Sequence, residues 1–308
     1  MVILVLSGLI VGLAMGWVLQ RGRYCMNSAF RDVIFINDYT LFKAYILALL
    51  IVIVGANFLE DIGQIEELRR QAFAPVANIV GGYIFGLGIV LAGGCGSGIW
   101  YRVGEGMFAA GVAVAGFVIG ILTTKNGILS PVYNFLRSFN LWQTPDGLKA
   151  LSDQQVMDLW DKGMDVGPPT LYSIVGSNKW IVIVVLIVIA IPFLIRGGIS
   201  KPLKGYSWPV AGILIGIVIS VAWWVSAKWG GGARGVSYTG PTGELFRSIF
   251  LGKEPTWGSM LVVGTPIGAF LSAKGLKEFK LKAPNAEELL RVFIGGLIMG
   301  FGATLAGG

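Results

Sequence analysis

Apolar residues in this chain come in long runs separated by short polar breaks, not in the strict alternation of a half-buried strand. Residues 2–19 carry no charge over 18 positions, enough for about 27 Å of helix at roughly 1.5 Å per residue. Comparable runs lie at 41–59, 107–122, 180–195, 206–226 and 256–272. The run at 78–92 is different. It predicts only about 20 Å of helix against a hydrocarbon core of about 30 Å, and it stops in the glycine cluster GGCGSG at 93–98. A short apolar run that ends in glycines predicts a discontinuous helix ending near mid-membrane.

The pattern repeats. GGYIFGLGIVLAGG at 81–94 returns as GGLIMGFGATLAGG at 295–308, with nine of the fourteen positions identical. Such self-similarity predicts two structural halves. The first copy runs on into Cys95. Gly8, Gly12 and Gly16 form an i, i+4, i+8 stripe that predicts close helix packing, and Gly212 and Gly216 echo it. The expected fold is an all-α integral membrane protein with inverted repeats: about eight or nine transmembrane helices, plus short discontinuous or re-entrant ones near Cys25 and 230–240. Its expected divisions are a first membrane repeat at 1–122, a polar extracytoplasmic connection at 123–179 and a second repeat at 180–308. Within the connection, 153–162 reads as a short amphipathic surface helix.

Composition sharpens this. The chain has 308 residues, 55% of them hydrophobic and 13% charged, which is the balance of a multispanning membrane protein. Its net charge of +7 comes from Lys and Arg placed between apolar runs. That arrangement points to lipid headgroups and topology rather than nucleic acid. The segments 21–43, 196–204 and 274–291, with Arg102, hold most of the cations found in short loops. The positive-inside rule makes that side cytoplasmic and the N-terminus extracytoplasmic. It also sets 60–78 outside and its repeat counterpart 274–291 inside, so the halves are expected to be inverted. The absence of histidine excludes imidazole-ligated haem and histidine proton relays, and two cysteines cannot hold a four-thiolate cluster. No metal or cofactor is expected. Residues 1–19 lack a basic start and a small-residue cleavage site, and read as a retained span. The Gly-x-Gly within 81–94 lacks the third glycine and the βαβ setting of a dinucleotide site.

The candidate chemistry gathers at two thiols. Cys95 sits among Gly93, Gly94, Gly96 and Gly98, where backbone N–H groups are exposed and bulk is stripped away. A half-helix starting near Ser97 would turn its N-terminus toward an anion. The alternative is a small buried core cysteine. Cys25 follows Arg21 and Arg23, which could draw anions to a mouth or simply anchor the interface. Arg234, flanked by glycines, offers the same two readings. The candidate pathway residues are thus Cys25, Cys95, Gly94, Gly96, Ser97, Arg23 and Arg234.

RGRYC at 21–25, GGCGSG around Cys95 and the glycine-rich repeat ending at Gly308 make the chain resemble the YeeE/YedE family of bacterial inner-membrane sulfur-compound transporters, its thiosulfate-importing members above all. The resemblance covers essentially the whole chain. It implies an hourglass of inverted repeats whose short helices meet at a narrow centre. It implies three pore cysteines, two of them Cys25 and Cys95, with the third following Gly308, so that the C-terminal end is expected to be missing here. It implies uptake of thiosulfate by transient S–H···S contacts, and a cytoplasmic sulfur-carrier protein as partner. A polarizable, weakly donating thiol suits a soft sulfur anion that must be released again. The alternatives are a permease for sulfite or a selenium oxyanion, and a membrane thiol oxidoreductase. The last lacks the Cys-x-x-Cys spacing common among such enzymes.

Overall fold

In the computed structural model, the structure describes residues 1–70, 72–145, 147–164, 166–198 and 205–308. From 199 onward, the basic segment 196–204 lies outside them. The first half begins with α1 (Val2–Gly22), α2 (Met26–Ile36) and α3 (Thr40–Asp61). Then come α4 (Pro75–Ala92), α5 (Gly96–Gly104) and α6 (Phe108–Asn126). A smaller unit holds α7 (Ser130–Arg137), strands β1 (Leu141–Thr144) and β2 (Gly147–Ala150), α8 (Asp153–Asp161) and α9 (Leu171–Val175). The second half is α10 (Lys179–Ile195), α11 (Trp208–Trp229), α12 (Thr239–Leu251), α13 (Trp257–Gly275) and α14 (Ala286–Leu305).

Among the described residues, six helical segments are long and apolar enough to cross a membrane: α1 with α2, α3, α4 with α5, α6, α11 and α14. The apolar α10 stops at 17 residues. Helix α13 has 19 residues but carries Ser259, Thr265 and Ser272 fully buried along its packed face. The chain is therefore mainly helical. The antiparallel hairpin of β1 and β2 departs from an all-α reading.

Glycine decides which helices touch. A Cβ on Gly8, Gly12 or Gly16 would strike the backbone of α13 at Trp257, Leu261 or Thr265 in turn. Contacts that rise together along both chains make α1 and α13 parallel. Gly264 and Gly268 answer from α13 against Leu9 and Leu13. Gly212 and Gly216 press α11 on α3 in the same parallel sense, at Ala44, Leu47 and Ile51. Helices α6 and α14 form a third parallel pair, Gly116 and Gly120 meeting Phe293 and Leu297. Between apolar helices in lipid no hydrophobic force remains to be gained, and small residues permit the close approach that supplies dispersion contact.

The two copies of the repeated motif, on α4 and α14, pack against each other. Gly81 meets Ala306 and Gly302, Gly88 meets Met299, and Gly295 meets Ala92. Contacts that rise on one helix and fall on the other make the pair antiparallel. The pairing is also reciprocal. Gly81 against Ala306 is matched by Gly295 against Ala92, and Gly88 against Met299 by Gly302 against Phe85. Gly22, near the end of α1, meets Ala211 near the start of α11, so these helices are antiparallel too.

Three expectations change at this level. Helix α4 starts at Pro75 and has 18 residues, about 27 Å at helical rise, longer than the run at 78–92 implied. Pro75 sets a helical φ while lacking an N–H the first turn would leave unpaired. Second, a regular helix, α12, follows the glycine-rich segment 230–238. Third, the polar connection folds onto the helix ends. Tyr133 and Leu136 pack on Ala74, Ala77 and Leu305, and the Leu141 N–H donates to the Phe73 carbonyl at 2.7 Å. Helix α8 forms where the amphipathic segment was expected, capped reciprocally by Ser152 and Gln155.

Glycines of the motif should therefore differ sharply. Gly88→Ala and Gly302→Ala drive a methyl into facing backbone and should cost about 1–3 kcal/mol. Gly82 and Gly86 have nothing within 4 Å of an added Cβ, so Gly82→Ala should be neutral. Thermal unfolding of the purified variants in one detergent measures this contrast.

Candidate functional site

Two breaks in the helical backbone build the site. Helix α1 ends at Arg23, whose φ of 48° is left-handed. After Tyr24, Cys25 is extended (φ −147°, ψ 128°) and its carbonyl begins α2 by accepting from Ala29 N–H at 2.9 Å. Helix α4 ends the same way, at Gly93 with φ 71°. After Gly94, Cys95 is extended (φ −77°, ψ 178°) and its carbonyl begins α5 by accepting from Ile99 N–H at 2.9 Å. Each break thus ends on a cysteine at a helix N-cap. Left-handed backbone is easy for glycine and costs an L-residue roughly 1–2 kcal/mol, so Arg23 is held there by its surroundings.

The two N-caps bring the thiols together. Cys25 and Cys95 are both buried and unbridged. Cys25 Sγ donates toward Cys95 Sγ at 3.7 Å, and Cys95 Sγ lies 3.4 Å from Ser97 Oγ. Neither thiol is used to cap its own helix. The first N–H groups of α2 and α5 therefore converge on the pair and contribute a positive potential from backbone dipoles.

Gly98 is what permits this approach, and the sequence reading passed over it as a site residue. A Cβ there would lie 2.7 Å from Cys25 Sγ and 3.4 Å from Cys95 Sγ. Gly96 is half-buried, with the Tyr238 Cβ 3.5 Å from where its own Cβ would be. Tyr238 also escaped notice. Its hydroxyl pairs with Thr265 Oγ1 at 3.0 Å, tying the start of α12 to α13. Trp100 Nε1 donates to Thr242 Oγ1 at 3.1 Å, tying α5 to α12.

Cys95, Gly96 and Ser97 line a cavity of about 320 Å³ together with Tyr24 and Tyr238. A second cavity, about 520 Å³, carries Arg69, Lys125, Arg234 and Glu244. The two share Val236, Ser237 and Thr239 as wall. Arg234 is thus brought to the compartment next to the thiols, and the backbone around it is fixed by Ser226, which accepts from Arg234 N–H at 2.8 Å and donates to Arg234 O at 2.7 Å. It is not an unopposed cation, because Glu244 lies 3.5 Å away. Arg23 likewise pairs with Glu278 at 3.5 Å, though its side chain stays mostly exposed.

Arg102 emerges as a further charge. Its guanidinium donates to the Gly93 carbonyl, stacks on the Tyr101 ring, and reaches within 3.2 Å of where a Gly94 Cβ would lie. It closes the α4–α5 break from the side. A basic residue seven positions beyond Cys95 was the available signal, and it was read only as a topology charge. Beside it, Gln20 is almost wholly buried at 1% exposure. Its amide donates to Glu278 at 3.1 Å and to Glu105 at 3.4 Å, and it accepts from Ser272 at 2.6 Å. Burial pushes the Glu105 carboxyl above its ordinary value, against the Gln20 bond and the Arg102 and Arg23 charges, with Glu278 adding to the rise.

Among the described residues no cluster of His, Cys, Asp or Glu could hold a metal ion. Segments long and apolar enough to cross a membrane, two of them broken at a buried cysteine, are those of an integral membrane protein. The chain belongs to the sulphur transport family, whose model matches residues 21–308. It is 34% identical to the thiosulfate transporter TsuA of Spirochaeta thermophila over 303 residues, 98% of this chain and 88% of that one. It is 32% identical to the thiosulfate transporter TsuA of Escherichia coli strain K12, over 99% of this chain and 85% of that protein. A shorter match, 34% over 112 residues, joins it to the probable transporter YedE of the same strain, covering 36% of this chain and 27% of that one. The protein is thus a multi-pass membrane transporter rather than an enzyme.

Two outcomes follow. Gly98→Ala should force the sulfurs apart and abolish bridging of Cys25 and Cys95 by a short bifunctional thiol reagent, read by peptide mapping, while the protein still folds. Glu105 has a raised folded-state pKa, so folding favours its protonated form and its contribution to stability is lost as pH rises through that value. Glu105→Gln should therefore melt higher than the parent at alkaline pH. The gap should close below the ordinary carboxylate range, as a pH series of melting curves will record.

Proposed function

We propose that the protein imports thiosulfate across the bacterial inner membrane through a central path lined by Cys25 and Cys95. The observation that carries this is the thiol pair itself: two buried sulfurs 3.7 Å apart, each at the N-terminus of a helix. Thiosulfate is a dianion with a soft terminal sulfur. Leaving water costs it hydration, which the converging helix N-termini and glycine N–H groups offset. A thiol offers a weak S–H donor to the terminal sulfur, and successive weak contacts let the ion move on where a tight site would hold it. The thiols act as protonated groups, because a thiolate would repel the cargo. Gly94, Gly96 and Ser97 shape the passage beside Cys95, and Gly98 keeps it open.

The architecture we infer is an hourglass of two inverted repeats, 1–122 and 180–308, joined by an extracytoplasmic connection at 123–179. The reciprocal antiparallel contact of α4 with α14 supports it. So do the matched parallel pairs, α1 on α13 and α11 on α3, which exchange under the same two-fold operation. Counting α10 and α13 gives eight passes, with α2, α5 and α12 as the short helices. The N-terminus is extracytoplasmic. Arg234, with Arg69 and Lys125, gathers anions in the outer cavity, and Arg23 and Arg102 stand on the inner side. A cytoplasmic sulfur-carrier protein would receive the cargo.

The names of the near-full-length relatives favour thiosulfate over sulfite or a selenium oxyanion. Uptake of labelled thiosulfate into cells lacking other importers tests the proposal. Cys95→Ala and Cys25→Ala should each lower it by about tenfold or more, since the path loses a contact at its narrowest point. Arg234→Gln should raise the apparent KM by roughly threefold to tenfold through weaker electrostatic gathering, with the difference shrinking in high salt. Undiminished uptake in both cysteine variants sinks the thiol path. A periplasm-only reporter fused within 123–179 that stayed silent would overturn the orientation.

A further inference from the structure

The same two thiols have a chemistry that import does not use. We propose that Cys25 and Cys95 form an oxidant-modification site for polythionates, tetrathionate being the defining member, and that its product is a disulfide that shuts the path. The effect on uptake rests on the import reading; the thiol chemistry does not.

The geometry sets up the reaction. Both cysteines are free, and their sulfurs already face each other at 3.7 Å, against about 2.05 Å in a disulfide. Each ends a three-residue break, Arg23 to Cys25 and Gly93 to Cys95, outside the interior of any helix. Closing the gap therefore breaks no side-chain cap and turns backbone that is already irregular. The sulfurs are also unequal. Cys95 lines the 320 Å³ cavity beside half-buried Gly96 and Ser97. Cys25 has no exposed surface at all. An incoming oxidant meets Cys95 first, and Cys25 can act only through it.

Tetrathionate is two thiosulfates joined by their terminal sulfurs, so each end presents negative charge to the helix N-termini and a soft sulfur to the thiols. The Cys95 sulfur, giving its proton to water, attacks a central sulfur of tetrathionate. An S–S bond forms there, the central S–S bond breaks, and one thiosulfate leaves with the electron pair. Cys95 now carries an S-thiosulfate group. Cys25, losing its proton, attacks the Cys95 sulfur and displaces a second thiosulfate. In sum two thiols and one tetrathionate give one disulfide, two thiosulfates and two protons: the thiols lose two electrons and the polythionate gains them. This is thiol–disulfide exchange with an inorganic partner, and its rate follows the thiolate fraction of the attacking cysteine, access and leaving-group quality. The leaving group is the cargo itself, so an oxidised sulfur pool closes the path and a thiol reductant reopens it.

The test uses the full chain in membrane vesicles, treated with tetrathionate and digested without reductant. Mass mapping should find the Cys25–Cys95 disulfide, with two thiosulfates released per chain. Cys25→Ser should instead accumulate the Cys95 S-thiosulfate adduct, because nothing remains to displace it. Cys95→Ser should leave Cys25 unmodified. Thiosulfate uptake by the parent should fall by roughly tenfold or more and recover with dithiothreitol, as a bridged waist removes the route. Thiols of the parent that stay fully titratable after tetrathionate overturn the proposal. So does ready modification of Cys25 in Cys95→Ser. If untreated protein carries no thiosulfate, the import reading fails, and the mass maps alone still decide the thiol chemistry.

Discussion

The structure depends on the backbone-to-backbone contact of α4 with α14. No side chain separates Gly81 from Ala306, Gly88 from Met299 or Gly295 from Ala92. In lipid this contact can be driven only by dispersion between surfaces that fit, since apolar side chains lose nothing by facing acyl tails. A single Cβ on the buried face would hold the helices apart and remove the attraction. The motif's other glycines, Gly82 and Gly86, face open space. The contact is also reciprocal, which is the signature of a two-fold relation between like surfaces. A repeat that packs on its own copy fixes the position of both halves at once. The breaks after α1 and α4 are then positioned by helix packing as well as by loops.

The site follows from where those helices stop. A helix that continued through Gly93 would bury its last carbonyls in intrahelical bonds. By ending there it leaves them to other donors, and Arg102 supplies one to Gly93. The chain then restarts after one extended residue, and that residue is a cysteine in both breaks. The two extended N-caps face each other across Gly98. Serine or aspartate at this position would turn back and cap the helix. The thiol, a poor acceptor, does not, so it remains available to a partner. The same break thus delivers a positive helix end and an unused soft group to one point.

Much of this was legible in the chain, for identifiable reasons. The repeat, the Gly8–Gly12–Gly16 stripe and the break at GGCGSG are local patterns whose physics does not depend on partners, and the structure places glycine contacts where the stripe implied. The meeting of Cys25 with Cys95 was only an expectation, because 70 residues separate them and no spacing rule joins two breaks. That Gly98 also leaves room for Cys25 stayed hidden, because the absent bulk lies opposite a sulfur distant in the chain. Gln20 and Arg102 stayed hidden because their partners, Glu105, Glu278 and the Gly93 carbonyl, are assembled by packing. The regular helix α12 was missed because the glycines before it dominated the reading. Pro75 extended α4 beyond its apolar run because a helix start is set by φ and capping, while hydropathy marks only the buried portion.

The cations nearest the thiols are engaged rather than free. Arg234 is balanced by Glu244, Arg23 by Glu278, and Arg102 is engaged with a backbone carbonyl. Arg69, Lys125 and Arg234 line the larger cavity, and Arg102 sits beside the α4–α5 break. At the thiols, helix termini and glycine N–H groups add partial charges to the engaged guanidinium of Arg102. An unengaged guanidinium in that low-dielectric centre would bind a dianion deeply and release it slowly. Dipoles spread over two helix ends attract an anion more weakly than a full charge would. Passage needs entry and exit of similar ease. On the proposed import reading, helix ends at the thiols and engaged cations around them serve both requirements, with groups that this sequence places by breaking helices.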